Sequence, residues 1–333
     1  MRAWPQFASL SMGLIPVTVL VAMVASIVIN SKDAFTEIGV RELSDTKFSS
    51  LFLSGTAHYG LAPALMGSIE LLVVAISLAL PISLAMAIFA AEFAPSVVGR
   101  VMRMLLGLMS GIPPIIYALM AIVFVAPFMV PKFTGDLSYA NVHPEKIGFS
   151  AADWPPPDVP WNAGAFPWDP SGGDNSVLLA GILLSMLVIP FMAPLIEDAL
   201  RNVPSEPKQA SLALGAGRWY TLVRITLPYA LSGIISAVRL GMLKVLGDLM
   251  IALFVVGYAA PRFPDPPWDV LERTAPLTAT GAGLIGGLGT PKLCQATDCS
   301  VGYVPALMLL VMAVAIVVLT SVLERRFRAR YAP

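Results

Sequence analysis

Six long runs of apolar residues dictate what this chain can become: Leu10 to Ile29, Leu61 to Phe89, Met104 to Ala126, Ser176 to Ile196, Leu231 to Val256, and Tyr303 to Leu323. Each approaches or exceeds the ~20 residues that cross a bilayer as a helix. Lipid offers no hydrogen bonds, so a backbone inside it must satisfy its own N–H and C=O groups, which a helix does locally. The expected class is therefore an all-α polytopic membrane protein with six transmembrane helices. Composition agrees, with 57% hydrophobic and 13% charged residues against about 25% charged in soluble domains. The first run follows only Arg2 and lacks a small-residue cleavage site, so it reads as a retained anchor.

Charge placement orients the threading. With 21 basic and 21 acidic residues the chain has no global field that would attract nucleic acid. Lys and Arg concentrate in short loops on the cytoplasmic side. Arg100, Arg103, Arg201, Lys208, Arg218, Arg224 and the ERRFRAR ending fall on one side, while the other side carries more acids than bases. Both termini are thereby expected in the cytoplasm.

The loops and breaks are specific. Glu70 lies inside the second run, either snorkelling to an interface or belonging to a pathway, and Pro81 is expected to interrupt that span. Gly111 to Ala118, GIPPIIYA, puts adjacent prolines in the third run, so this segment must pack within protein or line a cavity. The outer segment 127–175 is rich in proline and carries Trp154, Trp161 and Trp168. It reads as an interfacial loop or as a docking surface for an external protein. Cys294 and Cys299 share a loop expected outside the cytoplasm, where a local disulfide is the expected state. His58 and His143 are expected to be solvated.

One polar stretch between apolar runs stands apart: Gln209 to Pro228, QASLALGAGRWYTLVRITLP. Ser205 is the expected N-cap of a helix ending at Leu214, Gly215 supplies the left-handed position after it, and Arg218 opens a second turn with Trp219, Leu222 and Ile225 on one side. Leu227 and Pro228 begin the next span. A helix–Gly–helix unit of this kind suits docking into a partner's groove; the plainer alternative is an amphipathic linker.

The fifth run holds Arg239, Lys244 and Asp248. At a helix centre each charge costs about 2.5–3.5 kcal/mol unless it meets a partner or water. Lys244 and Asp248, four residues apart, can pair on a helix face. That pair is either structural or a cationic way-station for an oxyanion kept by the acid. Arg239 lies on roughly the opposite side from Asp248.

No phosphate-cradling loop of the G-x-x-x-x-G-K-[ST] type and no nucleophile–base or metal-ligand cluster occurs, so no cofactor is expected and ATP hydrolysis must come from elsewhere. Several stretches resemble the phosphate-type permeases of ABC importers: AEFAP, GIPPIIYA, EDALRNVP continuing into QASLALGAGRW, Leu243 to Met250, and Arg273-Thr274 with Leu277 to Thr280. The EDALRNVP string resembles the C-type subunit (PstC) more than its A-type partner. The resemblance implies a MetI-like, type I importer fold in which Gln209, Ala210, Ser211, Gly215, Arg218, Leu227 and Pro228 form the loop engaging an ATPase. Gln209 stands where the family has an acid. It also implies a substrate pathway through Lys244 and Asp248, with Arg239 and Glu70 as further candidates.

The expected organisation is an N-terminal anchor and first outer loop over 1–60, a permease core over 61–323 with the insertion 127–175 and the coupling loop 199–230, and a basic tail over 324–333. Expected partners are a second permease of PstA type or a second copy, two cytoplasmic ATPase subunits, an extracytoplasmic phosphate-binding protein, and membrane lipid. Import of inorganic phosphate is the function implied. A different oxyanion, or a non-transporting membrane scaffold or sensor, is the alternative. The glycines at 281, 283, 286, 287 and 289 suggest a short re-entrant element beyond the fifth span.

Overall fold

The computed structural model describes residues 4–49, 58–120, 177–256, 274–286 and 296–331. The 127–175 insertion, His143 and Cys294 lie outside the described residues, and with Cys294 the expected Cys294–Cys299 disulfide.

The described chain is almost wholly helical. It comprises α1 (Trp4–Glu37), α2 (Val40–Leu43), α3 (Ala62–Ile88), α4 (Ser96–Ser110), α5 (Pro114–Met120), α6 (Val177–Arg201), α7 (Ser205–Ala213), α8 (Arg218–Thr221), α9 (Leu227–Gly247), α10 (Leu249–Ile251), α11 (Leu277–Gly286) and α12 (Ala296–Tyr331). Wider π turns continue three of them, over Phe89–Phe93, Leu222–Thr226 and Ala252–Val256. A minimal antiparallel pairing joins β1 (Phe48–Ser49) to β2 (His58–Tyr59).

Among the described residues five helices are long and apolar enough to cross a membrane, and α4 with α5 would make a sixth span bent by 91°. That bend corrects the expectation of one run from Met104 to Ala126. Pro113 and Pro114 lack the N–H groups that would continue α4, and their rings clash with the preceding turn. Pro81 has the opposite outcome: α3 runs through it without interruption. One lost hydrogen bond is tolerated there because α3 is packed along α6.

The core forms where α3, α6 and α9 meet, around Leu71, Ala75, Leu184, Val188, Met192, Ile196 and Ala237. In lipid, close approach of helix backbones replaces the hydrophobic drive, and small residues permit it. A Cβ on Gly181 would collide with Val74 of α3, and one on Gly241 with Met192 of α6. By contrast, α1 and α12 present Leu20, Val21, Met23, Val314, Val318 and Leu319 outward, the arrangement of lipid-facing helices. At the far end from α7, Ala34, Leu43, Tyr59, Leu61, Val301 and Val304 form a second cluster that ties α1 to the start of α12.

α11 has ten residues, a rise of about 15 Å and so half a span. Its start is pinned where Leu277 N donates to Ser68 Oγ at 2.8 Å. A short buried helix therefore occupies the position expected for a re-entrant element.

Candidate functional site

The polar stretch forms a two-helix hinge. Pro204, not Ser205, caps α7, with φ −51° and ψ 139° and no side-chain cap bond. A proline ring holds the chain extended right up to the first helical residue, so Ser205 is already inside the helix. At the other end Gly215 takes φ +85°. Its N–H donates to Leu212 O at 3.0 Å and Ala216 N–H to Ser211 O at 3.2 Å, the two-bond termination that needs a left-handed residue. The hinge then turns into α8, and Ser211 Oγ meets Thr221 Oγ1 at 2.9 Å in a buried contact that closes it.

Gln209, Ala210, Gly215 and Arg218 are exposed. So are Leu214, Trp219, Tyr220 and Val223, with Leu214 at 89%. The expected single apolar side of the second helix is corrected: Leu222 turns into the core while Trp219 stays out, its ring centroid 6.4 Å from that of Phe93. The π turn at Leu222–Thr226 then shifts the register of the residues that follow. Leu227 packs on the core and Pro228 occupies the first turn of α9.

Ions hold the hinge to the bundle. Lys208 Nζ donates to Glu92 Oε1 at 2.7 Å and to Leu200 O at 3.3 Å. One turn deeper, Glu197 is 2% exposed and its Oε1 accepts from Arg103 Nη1 at 2.6 Å and Arg201 Nε at 2.8 Å. Arg201 also donates to Ala90 O at 3.0 Å. Sequence reasoning passed over Glu197 and Glu92 as functional groups. The signal available was an acid in each of two inner turns, EFAP and EDALR, facing a surplus of arginine.

At the other candidate region two broken helices meet. α5 packs against α10 and the turn that follows it. At the α4–α5 break, Tyr117 Oη donates to Met109 O at 2.8 Å, a carbonyl that also accepts from Ile112 N at 3.2 Å. At the second break α9 ends at Gly247, and Asp248, with ψ 104°, caps α10 by accepting from Ile251 N at 2.8 Å. This corrects the expected continuous fifth span. It also removes the i, i+4 geometry on which the Lys244–Asp248 pair depended, and among the described residues no ion pair joins them. Lys244 Nζ sits instead over the Phe191 ring, 5.3 Å from its centroid.

Glu70 is 6% exposed, inside the protein and not snorkelling. Arg239 is turned to another neighbour: its guanidinium meets Glu324 Oε2 and Ser321 Oγ of α12, each at 3.3 Å. Lys244 and Asp248 are thus brought to one break, whereas Arg239 fastens α9 to α12.

The family described as binding-protein-dependent transport system inner membrane component matches residues 83–330, which include the hinge and both breaks. The chain belongs to that family. This inner membrane component is 28% identical over 208 residues to the phosphate transport system permease protein PstC 1 of Mycobacterium bovis, covering 62% of the chain and 56% of that relative. It thus spans little more than half the length of that relative. PstC of Haemophilus influenzae is 25% identical over 278 residues, with 83% and 81% covered.

Solved structures share the fold. The transport component resembles a chain of the MetNI methionine ABC transporter in an inward-facing conformation, with TM-score 0.54, 17% identity and 80% and 95% covered. It also resembles a chain of a bacterial alginate ABC transporter in complex with an alginate pentasaccharide-bound periplasmic protein, with TM-score 0.60, 16% identity and 98% and 95% covered. The permease fold and the multi-pass membrane character expected from the sequence are both borne out.

Proposed function

We propose that the chain is the transmembrane permease subunit of an ABC importer that carries inorganic phosphate into the cytoplasm, driven by separate ATPase subunits docked on the 205–228 loop. The observation that carries this is the hinge itself. Lys208 ties it to the bundle and the Ser211–Thr221 contact closes its elbow, while Leu214, Trp219, Tyr220 and Val223 remain exposed. Apolar side chains of that size on a polar loop mark a binding surface. The arginine bias around it supports a cytoplasmic location for the loop and both termini.

Four further partners complete the reading: a second permease of similar fold, a pair of ATPases contributed by other chains, and an external phosphate-binding protein. The names of the relatives support phosphate as the solute. Lys244 and Asp248 at the junction of the broken helices are the pathway residues. A cation resting on a ring, with no carboxylate clamped to it, can be recruited by an arriving oxyanion without first breaking an ion pair. Lysine gives a point charge in place of a bidentate fork, which favours a wider range of oxyanions as the second reading.

The test is uptake into vesicles carrying the assembled complex. Lys244→Ala abolishes phosphate entry and leaves copurification with the ATPase intact. Retained uptake assigns Lys244 a structural part and removes it from the pathway; competition by sulfate or molybdate at equal strength turns the reading to a general oxyanion importer.

A further inference from the structure

Glu197 occupies a position that the docking surface and the pathway leave unexplained. It is buried to 2% near the end of α6, and both groups it binds are arginines that are themselves half exposed, at 42% for Arg103 and 47% for Arg201. One carboxylate oxygen thus gathers α4 and α6, and Arg201 extends the link to Ala90 O in the turn after α3. Two residues along that turn, Glu92 holds Lys208 of the hinge helix α7. The chain of contacts from hinge to α4 is therefore continuous, ionic at both ends and joined in the middle by the bond to Ala90 O.

α4 is not a terminus of this chain of contacts. It runs to the 91° bend, where Tyr117 of α5 grips Met109 O, and α5 packs on α10, whose first turn is capped by Asp248. A displacement of the hinge consequently has a packed route through α4 and α5 to the Gly247–Asp248 break. Charge-assisted bonds of 2.6–2.8 Å are roughly twice as strong as neutral ones and hold direction as well as distance.

We infer that Glu197, through Arg103, is the positioning residue that transmits movement of the 205–228 hinge along α4 to the broken helix at Asp248. The inference rests on the permease reading for what the movement accomplishes, but the mechanical link is a property of this chain alone. Coupling across a protein needs an element both sites bias; α4 with its bend is that element.

The geometry also says which variant is informative. In Glu197→Gln the buried charge disappears, while Arg103 and Arg201 can rehydrate, so no unpaired charge is left buried. Arg103→Gln cuts the same link from the other end, and Arg103→Lys keeps the charge and should recover part of it.

Two measurements test this. The first is amide hydrogen exchange on the full-length protein in lipid nanodiscs. Glu197→Gln and Arg103→Gln should raise exchange at Ile251 N–H at least tenfold while α12 exchanges as before. The second, on the complex with ATPase and phosphate-loaded binding protein, is phosphate moved per ATP hydrolysed, which should fall at least fivefold in both variants and recover partly in Arg103→Lys. A residue that only stabilises the fold would lower the amount of active complex and leave that ratio untouched. Unchanged exchange at Ile251, or an unchanged ratio in a transporting complex, overturns the inference. If exchange responds but the wild-type complex moves no phosphate, the transport reading fails and the lever stands.

Discussion

Ser211 Oγ and Thr221 Oγ1 lie 2.9 Å apart in the buried elbow between α7 and α8. Each hydroxyl is the other's partner on opposite sides of the Gly215 turn, so the elbow angle is set by a polar contact in an otherwise exposed segment. Ser211→Ala leaves Thr221 with a buried unpaired hydroxyl and should cost about 1 kcal/mol. The double variant Ser211→Ala with Thr221→Val removes both and should recover most of that loss. Thermal unfolding in detergent, read for the single and the double variants, checks both; a double variant as unstable as the sum of its singles would contradict the pairing.

Gly215 tests the elbow through its backbone. Its φ is +85°, and a Cβ there would meet nothing within 4 Å, so any penalty is conformational and not steric crowding. A β-branched residue in the left-handed region costs about 1–2 kcal/mol, whereas Asn visits it readily. Gly215→Val should therefore abolish stimulation of the partner ATPase while the protein still inserts, and Gly215→Asn should retain it. The measurement is ATPase activity of the copurified complex with and without loaded binding protein.

These two residues also mark what could be read without a structure. Gly215 was legible because a helix end has a local signature, and the spans were legible because apolar runs have one. The exposed position of Trp219 beside Phe93 was not, since it depends on a neighbour from a distant part of the chain. Lys208 finds Glu92 across 116 residues of sequence, and Arg239 finds Glu324 across 85. Such pairs depend on which helices become neighbours, information that periodicity does not carry. The break at Asp248 was hidden for another reason: Leu231 to Val256 reads as one long run despite its three charges, and only the cap bond to Ile251 N reveals where the helix restarts.

Asp248 as a cap makes a prediction that separates shape from charge. Asn accepts the same backbone N–H nearly as well as Asp, while Ala cannot, at a cost of about 1 kcal/mol. Asp248→Asn should melt within a degree or two of the wild type, and Asp248→Ala several degrees lower, in detergent unfolding scans. Equal melting of the two variants would mean the bond to Ile251 N contributes nothing to holding the break.

Arg239 and Glu324 supply the last test, because they join α9 to α12 where lipid offers neither a partner. Their side chains are 22% and 18% exposed, and the guanidinium is also bonded to Ser236 and Ser321. Removing either charge breaks this charge-assisted bond between α9 and α12, so Arg239→Ala or Glu324→Ala should each lose about 1.5–3 kcal/mol. Replacing both by apolar groups of similar size removes the desolvation cost together with the attraction, and such swaps are often neutral or better. Arg239→Met with Glu324→Leu should accordingly unfold at or above the wild-type temperature. Because this pair lies apart from the Lys244 and Asp248 break, the double variant should also keep phosphate uptake near the wild-type rate. A stable double variant that had lost uptake would instead move Arg239 from the α9–α12 seam into the transport route.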